Sequence, residues 1–368
     1  MALQLFSNEF LTIDIGFKYI KIAKVRKNKN NDLTILNYGI GDTPKGCIKN
    51  GAINNQEAVI EKISKIIADN YLNAKEAKIV ISGTNIITRI ILVDKITDAD
   101  RDKRVWSEIH ANLPINLDEH EVDFKVLDNV IVDNVEKTKI FVTAVPKKII
   151  GSYIDILKKL GLKPLAVDIP ANSVSKFFQK DIIFDGIKPG LSGSTYISQS
   201  DAVAVLDMGS ETTIVNILKN KIPEFNRVIL MGSSNIDAAI AKALDLAPGE
   251  EEKAERYKKF YGMVQKPDPS NDFEWQCSEA VKSVVNQIVR QVKMCFDFYI
   301  KRCTGEKVSR IYLIGGGSQL KGITELFEEV FESPTYQIKV MEIGGIKFAD
   351  NLNTEKINYL INALGIAL

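Results

Sequence analysis

The sequence predicts an α/β protein of two related lobes facing a cleft, with a small α/β unit inserted in the first lobe. Three observations carry this. The chain has 368 residues, room for about two domains at ~150 residues each. A pattern of apolar strand, Asp-x-Gly turn and apolar strand occurs in LTIDIGFKYIKI and again, roughly half a chain later, in AVLDMGSETTIV. Stretches of strand and helix periodicity alternate through both halves.

The elements follow in order. Residues 10–25 read as a strand, a tight turn and a second strand. Ile20, Ile22 and Val25 alternate with Lys21, Lys24 and Arg26, the period of a hairpin with one face covered. KNKNND is a polar turn into a third strand, LTILNYGI. NQEAVIEKISKIIADNY has the helical spacing Val59, Ile63, Ile66, and AKIVISG returns to strand. Residues 85–165 read as a strand (IITRIILVD), a helix ending near Pro114, two strands (HEVDFKVLDNVIVDN and KTKIFVTAVP) and a helix closed by Gly161. The second half opens with the repeated hairpin. Helices are expected at 233–246, 249–262 and 274–303, then the strand RIYLIGG and the helix SQLKGITELFEEVF. The expected organisation is a first lobe over 1–84 and 166–200, an insertion over 85–165, a second lobe over 201–232 and 306–368, and a helix-rich subdomain over 233–305.

Composition excludes several classes. The chain is 45% apolar, with 48 Lys+Arg against 47 Asp+Glu and a net charge of +1, so no general charge draws it to nucleic acid or an anionic membrane. Cys47, Cys277, Cys295 and Cys303 form no C-x-x-C pair and read as free thiols of a reducing compartment. MALQLFSNEF lacks a secretory pattern, and no run reaches the ~20 apolar residues of a membrane span. A cytoplasmic protein is expected, with no direct membrane insertion.

The repeat places Asp14 over Asp207 and Gly16 over Gly209. One such turn is an ordinary hairpin feature; two copies point to a duplicated domain. Glycine admits backbone amides to phosphate oxygens, and paired carboxylates can hold Mg²⁺ with its waters. A third motif, Gly315-Gly316-Gly317 after an apolar strand, with Ser318 as N-cap, allows close packing of a phosphate or flat ligand. It lacks G-x-G-x-x-G, so a dinucleotide fingerprint does not fit. Glu255 and Lys258, in AERYKKFYG, are three apart and share one helix face. Each motif alone also reads as a turn, a tight connection or a surface ion pair.

In this order the motifs resemble the actin, Hsp70 and hexokinase superfamily, and most of all the PilM family of type IV pilus assembly, related to FtsA. The resemblance covers nearly the whole chain. It rests on IDIGFKYIKIAKV, GCIKNGAINNQEAVIEKI, VDIPANSVSKFF, AERYKKFYG, IYLIGGGSQLKGI and NALGIAL. It implies a duplicated ribonuclease H-like actin fold that binds ATP with Mg²⁺. Asp14 and Asp207 would order Mg²⁺ and water, and Lys21 would neutralise a phosphate. Gly16, Phe17, Lys18, Gly209, Ser210, Thr212, Thr213 and Gly232 would lie along the phosphates. Glu255 and Lys258 would meet ribose or base, and Gly315, Gly316, Gly317 and Ser318 would line the adenosine pocket. The implied partner is the cytoplasmic N-terminal tail of the membrane protein PilN, docking between the first lobe and the insertion, with other platform and motor proteins of the pilus nearby. The chain would thus sit at the inner face of the membrane through its partner, coupling nucleotide state to assembly.

Two departures bear on activity. Phe17 and Lys18 stand where the family has small hydroxyl residues. Where active hydrolases place an acid or Gln to orient water, this chain has Ile169-Pro170-Ala171-Asn172. Asp14, Asp207 and Asn172 are the catalytic candidates, with Asn172 or Asp168 to orient water, and at most a slow ATPase is expected. LDEHEVD reads as a solvated strand entrance rather than a metal site, since alternate strand residues point to opposite faces. An FtsA-like division filament and a small-molecule kinase of the same superfamily are the competing functions.

Overall fold

The computed structural model describes residues 8–28, 32–95, 101–113, 115–180, 182–184, 202–263, 271–304, 306–338, 340–350 and 352–368. The first half contains β1 (Glu9–Ile15), β2 (Tyr19–Lys27), β3 (Leu33–Asp42), the short pair β4 (Ile48–Lys49) and β5 (Ala52–Ile53), α1 (Gln56–Asp69) and β6 (Glu76–Val80). Then come β7 (Ile87–Asp94), α2 (Arg101–Asn112), β8 (His120–Val132), β9 (Val135–Pro146), α3 (Lys147–Lys159), β10 (Lys163–Asp168), α4 (Pro170–Phe178) and β11 (Ile182–Phe184). The second half contains β12 (Ala202–Met208), β13 (Thr213–Lys219), β14 (Ile222–Ile229), α5 (Ser233–Ala243), α6 (Glu251–Tyr261), α7 (Asp272–Tyr299) and β15 (Arg310–Ile314). It ends with α8 (Ile323–Phe331), β16 (Thr335–Gln337), β17 (Val340–Ile343), β18 (Ile346–Phe348) and α9 (Ile361–Ala367).

The duplication is explicit in the sheets. Strands β3-β2-β1-β6-β10 of the first lobe repeat as β14-β13-β12-β15-β16 of the second. In both, the first three strands are antiparallel and the last two parallel to the first. Alternation decides which way the side chains face. Leu11, Ile13 and Ile15 pack outward with α1 and α3, while Phe10 joins the layer between the lobes. In β12, Ala202, Ala204 and Leu206 pack under the helices of the second lobe, while Val203 and Val205 face the same inter-lobe layer. Asp14 and Asp207, in phase with Phe10 and with Val203, therefore stand on the facing sides of the two sheets.

Helices α4 and α9 fill that layer. α4 leaves the first lobe yet packs against β13 and β14, while α9 packs against β1, β2 and β6. They cross where Gly365 lies on Ser173: a Cβ there would sit 2.0 Å from the Ser173 carbonyl oxygen. Phe177 and Phe178 of α4 are fully buried, and truncating either to alanine would cost about 3–5 kcal/mol.

Three boundaries differ from expectation. β17 and β18 join the first-lobe sheet, β18 pairing in parallel with β3, so the stretch 306–368 does not all belong to the second lobe. Strand partners are set by tertiary packing, which local periodicity does not encode. α3 is not part of the inserted unit: Ile149, Tyr153, Ile156 and Leu157 pack in the first-lobe core. The sheet β7-β9-β8 and α2 form the insertion around Val105, Ile109, Ile140 and Val142. The helix expected over 318–331 is broken. A 3₁₀ turn covers Gly316–Gln319 and α8 starts at Ile323 after left-handed Gly322, so Ser318 is not an N-cap. Cys47, Cys277 and Cys295 are free and buried; the side chain of Cys303 lies outside the described residues.

Candidate functional site

A cleft open to solvent lies between the lobes. Its lining brings together Asp14, Gly16, Phe17, Lys18 and Lys21 from the first hairpin and Asp207, Gly209, Ser210 and Thr212 from the second, with Gly315 and Gly316.

The two turns share one backbone design. Gly16 N–H donates to Tyr19 O at 3.0 Å, and Gly209 N–H donates to Thr212 O at 2.8 Å. Each loop also has its carbonyls tied back into the protein. Thr43 donates its hydroxyl to Gly16 O at 2.7 Å and its amide to Lys18 O at 2.8 Å. The amides of Ser233 and Ser234 donate to Gly209 O and Ser210 O at 3.0 and 2.8 Å. This removes carbonyl dipoles that would repel an anion.

The two carboxylates are held differently. Asp14, 1% exposed, pairs with Lys21 opposite it in the ladder, with Nζ 2.8 Å from Oδ2. Asp207 stands opposite apolar Ile214 and accepts a hydrogen bond from the Asn362 amide at 2.9 Å. Burial pushes the Asp207 carboxyl up from its ordinary range and the neighbouring Asp14 charge adds to this, while the Asn362 hydrogen bond and Lys21 oppose it. Gly315, at φ +80°, lies against Asp207, and a Cβ there would be 2.5 Å from Oδ1. Only glycine fits this left-handed turn without strain.

Three buried oxygens of lining residues, Asp14 Oδ1, Asn358 Oδ1 and Asn362 Oδ1, have no hydrogen-bond partner among the described residues. Buried polar groups are nearly always satisfied, so this set fits a polar ligand or hydrated cation, and two carboxylates on facing strands suit Mg²⁺.

Other motif residues stand around the cleft rather than in its lining. Thr213 is buried and donates to Met231 O at 2.9 Å. Gly232 backs loop two, where a Cβ would meet Ser210 O at 2.4 Å. Gly317 packs on Met208, and the Ser318 hydroxyl donates to Gly315 O at 2.7 Å, so both shape the glycine loop from behind. Glu255 of α6 pairs across the cleft mouth with Lys18 at 2.7 Å and with Lys259 at 2.7 Å. Burial opposes its charge, but the two lysine hydrogen bonds win and hold its carboxyl at about 2. Lys258 is tied to Asp237 at 2.7 Å. Asn172 is turned to Asp168, donating to both carboxylate oxygens at 2.9 and 3.1 Å, while Lys176 pairs with Asp168 at 2.8 Å. That closed cluster keeps Asn172 out of the cleft lining, so the structure does not bring that catalytic candidate to the carboxylates.

Several lining residues carry no motif of their own, among them Ser82, Asn358 and Tyr359, and Asn362 stands in NALGIAL without a role read for it. Tyr359 meets Tyr19 edge to face at 6.1 Å, across the cleft. Ser82 had a signal available, because the strand end IVISG at 79–83, which contains it, is similar to YLIGG at 312–316.

The family described as type IV pilus assembly protein PilM matches residues 12–368. The cell division protein FtsA of Neisseria meningitidis serogroup B is 23% identical over 399 residues, covering 96% of this chain and 89% of that protein. Among solved structures, a PilM-PilN type IV pilus biogenesis complex has a TM-score of 0.77 at 20% identity, covering 98% of this chain and 97% of the other. MreB 5 of Spiroplasma citri bound to AMPPNP has a TM-score of 0.51 at 12% identity, covering 98% and 95%. The fold is actin-like.

Proposed function

The chain belongs to the PilM family of type IV pilus assembly proteins, and on that premise we propose that it binds ATP with Mg²⁺ between its lobes and docks a PilN tail. The observation that carries the nucleotide reading is the pairing of two identical turns with buried, unpartnered oxygens on Asp14, Asn358 and Asn362 at one cleft. When bound, Mg²⁺ would screen phosphate charge. Asp14 and Asp207 would hold it with its waters, Lys21 would share the phosphate charge, and loops one and two would cradle the oxygens. Tyr359, beside Gly316, would close the adenosine end. Because Asn172 and Asp168 are engaged with each other, the nucleotide acts as a binding signal, hydrolysed slowly at most.

For the partner, β10 is an edge strand of the first-lobe sheet among the described residues, carrying half-exposed Leu165. Lys125 of β8, in the insertion, is within electrostatic reach of Asp168 and Lys176 at the end of that edge. An extended tail can add to such an edge through its backbone. Among the described residues no helix is long and apolar enough to cross a membrane, so a role at the cytoplasmic face of the membrane calls for such a tether. Calorimetry with ATP in Mg²⁺ and in chelator tests the first part: binding that needs Mg²⁺ supports it, and no binding refutes it. Fluorescence anisotropy with a labelled PilN tail tests the second. Leu165→Asp should weaken the tail about tenfold, or ~1.4 kcal/mol; unchanged affinity refutes the β10 dock.

A further inference from the structure

The insertion is rooted in the first lobe by sequence, yet two of its strands are fastened to the second lobe. Lys139 of β9 places Nζ 2.6 and 2.7 Å from the two carboxylate oxygens of Glu224 on β14. Both side chains are nearly buried, 12% and 9% exposed. Thr88 of β7 donates to Asn226 Oδ1 at 2.7 Å, and the Asn226 amide donates to Asn216 Oδ1 at 2.7 Å. Asn216 is 2% exposed and lies on β13, the strand that begins at loop two of the cleft. At its other end, β7 starts a few residues after Ser82, a lining residue of the same cleft.

A desolvated ion pair makes a poor sliding contact, because separating it leaves two charges without partners. A hydrogen-bonded relay of partly buried side chains, ending on buried Asn216, resists sliding in the same way. The insertion therefore follows the second lobe more readily than it slides along it. Against the first lobe the insertion rests instead on apolar packing, with Phe141 and Val145 of β9 buried in that lobe's core, a contact that can shear without stranding a charge.

We propose that the Lys139–Glu224 pair and the Thr88–Asn226–Asn216 relay lock the insertion to the second lobe, making it a lever that turns nucleotide-driven lobe closure into movement of the insertion against β10. This rests on the nucleotide reading above. The lever would change the groove between insertion and first lobe without any contact between the nucleotide and its occupant. By linkage, a groove ligand would change nucleotide affinity by the same factor.

The test uses the full chain with dyes on unnatural amino acids at Ser64 of α1, Ser107 of α2 and Lys242 of α5, all exposed, so that native cysteines are not involved. Without nucleotide, the distance between 107 and 242 should be narrowly distributed. The triple variant Thr88→Val, Lys139→Met, Glu224→Gln should broaden it, and an unaltered distribution overturns the lock. With Mg-ATP, the 64–242 and 64–107 distances should shift together while 107–242 stays fixed, and the triple variant should lose the 64–107 shift. A 64–242 shift with 64–107 unmoved overturns the lever alone. No shift at all, with no heat of binding, overturns the nucleotide reading and the lever with it.

Discussion

The two hairpin loops have the same backbone and different chemistry. Both close a glycine N–H onto the carbonyl three residues on, and both have their own carbonyls held from behind. Beyond that they diverge. Loop one places Phe17 and Lys18 where loop two places Ser210 and Glu211, and Asp14 faces Lys21 where Asp207 faces Ile214. One carboxylate is charge-paired within its own lobe. The other is held by a neutral amide from α9, in the layer between the lobes. Duplication supplies a scaffold for two cleft-facing turns, and side chains then give them unequal charge.

Removing each carboxylate should expose that inequality. Asp14→Asn leaves Lys21, 16% exposed on the cleft wall, without its partner, so the protein without nucleotide should lose about 2–3 kcal/mol in urea unfolding. Asp207→Asn replaces a carboxyl that burial already disfavours. Its stability should hold or rise, yet Mg-dependent ATP binding should weaken by about 1–3 kcal/mol. Equal stability losses would break the comparison.

The strand ends after β6 and β15 extend it. Gly315→Ala must enter the left-handed region, costing about 1–2 kcal/mol, and must also push against Asp207. Calorimetry should show weakened nucleotide binding and thermal melting should show a lower midpoint. At the matching strand end of the first lobe, Ser82→Ala should leave the melting midpoint unchanged.

The pH response differs between the paired and the unpaired acids. With its folded pKa raised, Asp207 makes the native state bind its proton more tightly than the unfolded chain does. Its destabilising contribution is fully present above the raised folded value. It fades as pH falls through that value toward the ordinary ~3.9, so stability gains on acidification. Asp207→Asn should remove that component of the urea-unfolding slope. Glu255 runs the other way. Held at about 2, it contributes stability above its ordinary ~4.3, lost as pH falls toward 2. Unfolding of Lys18→Ala against wild type between pH 5 and 8 should therefore differ by a constant amount. The smallest effect should come from Lys45→Ala, whose pair with Glu251 is exposed at 3.5 Å; unfolding should not detect it.

Much of this was legible in the residues. The repeat of Asp14-x-Gly16 as Asp207-x-Gly209 located both turns and the lobe duplication, because strand alternation and glycine turns are local signals. α1 was legible from its 3.6-residue stripe of Val59, Ile63 and Ile66. What failed to show was long-range. Nothing local says that β18 pairs with β3, that α3 packs under the first lobe, or that Asn362 reaches across 155 residues to Asp207. Asn172 looked available beside Asp168, but that carboxylate, at the end of β10 four residues earlier, captured its amide. Side-chain pairing of that kind follows from geometry that spacing only permits.

In the proposed nucleotide site the two turns share one cation and use it unequally. A double-mutant cycle tests this most directly: ATP affinity by calorimetry, with Mg²⁺ and with chelator, for wild type, Asp14→Asn, Asp207→Asn and the double variant. Groups that share one cation are coupled, so their losses do not add. The prediction is that either single change abolishes most of the Mg²⁺-dependent increment and the double change costs little more than the larger single one. Losses that simply add, or singles that leave the Mg²⁺ increment intact, would contradict a shared site.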